Sequence, residues 1–285
     1  MLEMLLSPRK AEREPWTMFF VGLIYASLAI LLVNWIFASD AVLAKYSGIL
    51  VVTFTVMFSL PFMYYLIKNE EEKDMKYGGF FRILTEHSHA IISLLWLFLG
   101  FIVAFSFWYV ILSSNQSFRA QIETYCLINR PANFQECVAD YGVKGVTKPT
   151  AFLTAKDRIF MIFANNVYVL IFTLVFSLIF GAGAVFILAW NASVIAAAVG
   201  IFSKTSLASL PLGILRYMIH GLPEIAAYFI AALAGGIVSV AIIRHDTRTE
   251  KFWNVLQDAL NLIIISVVIL FIASLIEVFI TPALF

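Results

Sequence analysis

Ile219-His220-Gly221-Leu222-Pro223-Glu224 puts an imidazole, a helix breaker and a carboxylate inside otherwise apolar sequence, and its reading decides the fold. From about Ser206 to Ile243 the apolar run exceeds the roughly 20 residues that one membrane-crossing helix needs. The sequence therefore predicts a break at 219–224. A half-length piece from Leu207 to Ile219, re-entrant or interfacial, is expected before it, and a full span from Pro223 to Ile243 after it. Pro223 suits the first turn of a new helix, where its missing N–H costs nothing, and Glu224 would face that helix's partly positive end. Gly221 would end the shorter piece.

Outward from this stretch the chain stays apolar. Of its residues 62% are hydrophobic and 13% charged, against about 25% charged in soluble domains. A formal net charge of +1 with scattered basic residues leaves no surface for nucleic acid. The first sixteen residues mix Glu3, Arg9, Lys10, Glu12, Arg13 and Glu14, and no small-residue cleavage site follows, so no secretory signal is read there. The expected fold is all-α: a polytopic membrane protein in the lipid bilayer, with about seven transmembrane helices plus the half-helix. Spans are expected over 17–37, 46–67, 90–112, 159–180, 184–202, 223–243 and 260–280, with a charged cytoplasmic loop over 68–89 and a polar loop after Arg244.

Three parts follow from this layout. Residues 1–112, rich in Phe, Leu, Ile and Trp, are read as a peripheral three-span layer. Residues 159–285 form the membrane core, where small residues recur every fourth position at Ala227, Ala231, Gly235 and Ser239 and at Ala189, Ser193 and Ala197, a spacing that lets helix backbones approach closely. Between them, 113–158 is a polar loop domain that holds both cysteines, Cys126 and Cys137. Two cysteines in one polar loop and none in any span predict a disulfide, hence a loop outside the cytoplasm. The basic residues of the short loops agree, placing the N-terminus inside and the C-terminus outside.

Ionisable and amide side chains in spans are costly and gather around partners or cavities. By depth, Asn165, Asn166, His220, Glu224 and Glu277 share the outer third of the bilayer and are expected to meet there, with Asn191 deeper. They form either a network that ties the broken helix to its neighbours or the lining of a site for a cation, a proton or a polar headgroup. No metal site is read. The two-histidine zinc-protease motif is absent, and His87 and His89 lie two residues apart with no cysteine nearby.

At this point the residues resemble the stage II sporulation protein M family, in its archaeal and bacterial branch unrelated to spores. The matching elements are Phe163-Ala164-Asn165-Asn166, Gly181 and Gly183, Asn191 with Gly200, His220-Gly221-Leu222-Pro223-Glu224, Gly235-Gly236, and Ala273-Ser274-Leu275-Ile276-Glu277 followed by Thr281-Pro282. They run from about Lys156 to Phe285 in the family's order; Ile219 stands where many members have proline. The resemblance implies a polytopic membrane protein without established chemistry, which in spore formers looks like a scaffold for a peptidoglycan-degrading complex. The cysteine loop has no counterpart in that picture.

The function expected from all this is a membrane scaffold that recruits protein partners through 113–158, with a permease or channel component for a small ion or polar solute as the alternative. No enzyme and no cofactor is expected, since no serine, cysteine or paired aspartates sit at an evident reactive depth. Homo-oligomers are expected from the aromatic-rich spans and the small-residue stripes.

Overall fold

The structure is a computed structural model and describes residues 13–37, 39–40, 42–74, 88–112, 115–129, 133–141, 155–180, 184–203, 206–243 and 250–285. Its principal helices are α1 (Thr17–Phe37), α2 (Ser47–Asp74), α3 (Ser88–Leu112), α4 (Arg119–Asn129), α5 (Phe134–Asp140), α6 (Ala155–Phe180), α7 (Ala184–Phe202), α8 (Leu210–Ile243) and α9 (Glu250–Leu275). A π-helical turn, Ile276–Ile280, continues α9 into the short α10 (Thr281–Leu284). Seven of these segments are long and apolar enough to cross a membrane. Such a span must satisfy its backbone internally, which is why helix is the form taken. The turn at 181–183, the segment 244–249 and most of the charged loop, 75–87, lie outside the described residues.

The predicted break at 219–224 does not occur. α8 runs unbroken for 34 residues with Pro223 inside it, about 51 Å at 1.5 Å per residue. Excess length over a core of ~30 Å does not demand a break, because a helix also tilts or projects beyond the bilayer. Packing against α6, α7 and α9 holds the turn where Pro223 cannot donate to the carbonyl of Ile219. Gly221 is buried within the helix, not at its end, and a Cβ there would meet only Met218 and Ile195 at ordinary distances.

Two other boundaries shift. α9 begins at Glu250, ten residues before the expected Leu260, so much of the polar segment is a helical extension. Nor is the third span peripheral. α3 packs against α1, α7 and α8 and buries Phe98, Phe101 and Phe105 almost completely. Its Gly100 lies so close to α1 that a Cβ would run into the carbonyl oxygen of Phe19, and Gly22 of α1 is equally tight against the backbone of Leu97. One glycine on each helix permits this approach, a device that a search for four-residue stripes overlooks. α6, α8 and α9 form the second packed group, joined where Gly235 lies against the backbone of Leu174.

The cysteine loop is likewise no free-standing module. Phe118, Ile122 and Cys126 recur every fourth residue and are buried; Phe118, in the 3-10 turn just before α4, packs on Phe105 and Tyr109 of α3, and α4 itself packs on α7 with further contacts to α2. Ser117 donates to Asn34 Oδ1 of α1 at 3.0 Å. Gln121, fully buried, donates through Nε2 to the Gly48 carbonyl at 2.9 Å and to Ser193 Oγ of α7 at 3.2 Å. A disulfide joins Cys126 on α4 to Cys137 on α5.

Candidate functional site

His220, Glu224 and Tyr228 lie at i, i+4 and i+8 on α8 and so share one face of the helix. That face meets Asn166 of α6 on one side and the π turn after α9 on the other. Asn166 Nδ2 donates to Glu224 Oε1 at 2.7 Å, and the Tyr228 hydroxyl donates to Asn166 Oδ1 at 3.0 Å. The bonds run one way, Tyr228 to Asn166 to Glu224, so Asn166 delivers donor character to the carboxyl group from both its own amide and the phenol behind it. Asn166 is 6% exposed and Tyr228 2%, whereas Glu224 and Glu277 are partly buried.

The second arm starts at His220, whose Nδ1 lies 3.1 Å from Thr281 Oγ1. Thr281 in turn donates to the Ile276 carbonyl at 3.3 Å. With the hydroxyl proton used there, Thr281 Oγ1 is left as an acceptor for an Nδ1–H of His220. The π turn supplies the acceptor. By inserting an extra residue into the helical register, it lets Thr281 reach back five residues and places Glu277 beside the α8 face. Glu277 lies within electrostatic reach of Glu224, Tyr228, Tyr217 and Arg158.

The structure thus joins Asn166 directly to Glu224 and brings His220 and Glu277 to the same place. Gly221 belongs to the same turn of α8 and contributes backbone. Asn165 and Asn191 are not drawn in: Asn165 is half-buried outside the described hydrogen bonds of the cluster, and Asn191 donates to the Ile187 carbonyl of its own helix at 2.7 Å. Asn165 matched in residue type and depth but lies one residue round the helix from Asn166, whereas Asn191 was already read as deeper and bonds within its own helix. Tyr228 went unread in the sequence and Thr281 entered it only through the family resemblance, although Tyr228 stands four residues after Glu224 and the spacing alone would have found it.

The His220 end of the cluster carries aromatic and basic groups. The Tyr217 ring stands edge-on to His220, with centroids 6.1 Å apart, and its hydroxyl is hydrogen-bonded to Tyr125 of α4. Arg216 stacks over Phe202 at 4.8 Å. Farther along α6, Ser177 donates to the Ala232 carbonyl, fastening α6 to α8 below Tyr228. Among the described residues no group of three or more histidine, cysteine, aspartate or glutamate side chains is placed to hold a metal ion.

Among the described residues, seven apolar helices long enough to cross a membrane enclose this polar cluster, which is the build of an integral, multi-pass membrane protein. The model for the family described as Stage II sporulation protein M matches residues 96–282, and the chain belongs to that family. Neither the curated proteins nor the solved structures contain a match. The matched region begins in α3 and takes in the disulfide-bonded loop, well before the motifs that start near Lys156. That start agrees with the central place of α3 in the bundle.

Proposed function

We propose that the chain is a non-enzymatic membrane scaffold that presents the α4–α5 unit to a protein partner. The observation that supports this is the docking of Gln121 between α2 and α7, which fixes the unit relative to the spans and pre-organises its outward face. The unit exposes Leu127, at 61%, and the acidic Glu136 and Asp140. In the proposed topology the N-terminus is cytoplasmic, and α4, α5 and the C-terminal end of α9 lie outside. The test is a photo-crosslinking amino acid at Leu127 in native membranes, with Phe172, an exposed apolar residue of α6, as the comparison. A discrete partner captured from Leu127 and not from Phe172 is expected; lipid adducts alone at both positions would sink the reading.

One observation favours a permease component as the second reading. Glu224 and Glu277, two partly buried carboxyl groups, belong to one cluster, and helix glue does not require ionisable groups there. Liposomes holding the purified protein and a trapped pH dye test it. Proton flux abolished by Glu224→Gln supports transport, and flux equal to that of empty liposomes removes it.

A further inference from the structure

Among the described residues, Tyr125 of the α4–α5 unit reaches the polar cluster, and that contact has the form of a latch. Tyr125 adjoins Cys126 of the disulfide. Its hydroxyl is bonded to that of Tyr217, whose ring rests on His220, the residue held by Thr281. Tyr217 is also within electrostatic reach of Glu277. Tyr217, at the His220 end of the cluster, is therefore capped by a residue from the cysteine loop.

The docking of this unit is poised. Its apolar stripe of Phe118, Ile122 and Cys126 favours the closed position. Gln121 opposes it in part: both described donor bonds come from Nε2, while its side-chain oxygen is buried with no hydrogen-bond partner. An unmet buried acceptor costs free energy that hydration returns on opening. The disulfide keeps α4 and α5 together, so the pair moves as one piece or not at all.

We propose that the disulfide-bonded α4–α5 unit is a lid over the polar cluster of α6, α8 and the π turn, latched by Tyr125 on Tyr217, and that opening it exposes His220, Thr281 and Glu277 to the outer aqueous side. The proposal rests on the geometry of the cluster and needs neither scaffold nor transport. It gives a partner bound to the loop a route to the membrane interior, because a partner that prefers the open lid shifts the cluster's hydration.

Both native cysteines are in the disulfide, so an introduced cysteine is the one reactive thiol of the folded chain. The purified full chain carrying Thr281→Cys is treated with a charged maleimide, alone and combined with Tyr125→Phe or Gly48→Ala. Thr173→Cys, buried farther along α6 away from the lid, is the control. Labelling of Thr281→Cys is expected to rise at least about tenfold in both lid variants, equivalent to ~1.4 kcal/mol in the closing equilibrium, with Thr173→Cys unchanged. Unchanged labelling at Thr281→Cys, fast or slow, overturns the lid, as does a parallel rise at Thr173→Cys, which would mean general loosening. If Gly48→Ala does not fold, Tyr125→Phe decides, since it removes a single oxygen.

Discussion

Gln121 grips Gly48: its amide nitrogen donates to the glycine carbonyl at 2.9 Å, and its side-chain oxygen occupies the space that a Cβ on residue 48 would need. The contact joins the start of the second span to the helix after the third. It makes a glycine at the entrance of α2 a requirement of α4 docking and not of α2 itself. Replacing Gly48 by alanine should therefore destabilise the protein by about 1–3 kcal/mol, the usual range for overpacking. Thermal unfolding in detergent reads the loss; an unchanged midpoint would show that α4 is not packed as described.

The bond from Asn166 to Glu224 separates two substitutions that differ little in size. Glu224→Gln retains an oxygen to accept the Asn166 amide and should stay near wild-type stability. Glu224→Leu leaves the amide without its acceptor and should cost about 1–3 kcal/mol. Thermal shifts measured side by side would contradict this if the leucine variant were the equal of the glutamine variant.

Tyr228 donates to Asn166, so the contributions of the two should not be additive. A double-mutant cycle with Tyr228→Phe and Asn166→Ala should return a coupling of roughly 0.5–3 kcal/mol. A coupling near zero would mean that the 3.0 Å contact from the Tyr228 hydroxyl contributes nothing.

The approach of α1 to α3 at Gly22 and Gly100 leaves no room for a side chain. Gly100→Leu should push α1 away and break the 3.0 Å bond from Trp108 Nε1 to Ser27 Oγ. A change in Trp108 fluorescence, read against Trp108→Phe to isolate that ring, is the expected sign. An unaltered spectrum in a folded variant would refute the close packing.

Asp40 gives a pH dependence with a definite sign. Its carboxylate accepts the backbone N–H groups of Leu43 and Val42, each at 2.8 Å, and these hold its pKa below the ordinary value. A depressed folded pKa stabilises the turn above the unfolded carboxylate value of about 3.9, and this is lost as pH falls through the lower folded value. Hydrogen exchange at Val42 and Leu43 should be slower in wild type than in Asp40→Ala near neutral pH. The difference should vanish in acid; a gap that persists there would assign the protection to something other than the carboxylate.

The sequence by itself determined whatever depends on composition and on local spacing. Long apolar runs fixed seven spans, because a backbone in hydrocarbon has few forms open to it. Two cysteines isolated in one polar segment were enough to pair Cys126 with Cys137. Counting depth along each span brought Asn166, His220, Glu224 and Glu277 to one level, since a helix rises by a constant step. The tertiary structure decided what depth cannot reach: which side of each helix faces inward. Phase left Asn165 out of the cluster and admitted Tyr228, and the π turn brought in Thr281. It also decided that Pro223 lies inside one continuous helix, because the neighbours that hold that turn are remote in sequence. And only packing could show that the cysteine loop is seated on the membrane helices, because Gln121 finds Gly48 and Ser193 more than seventy residues away in opposite directions along the chain.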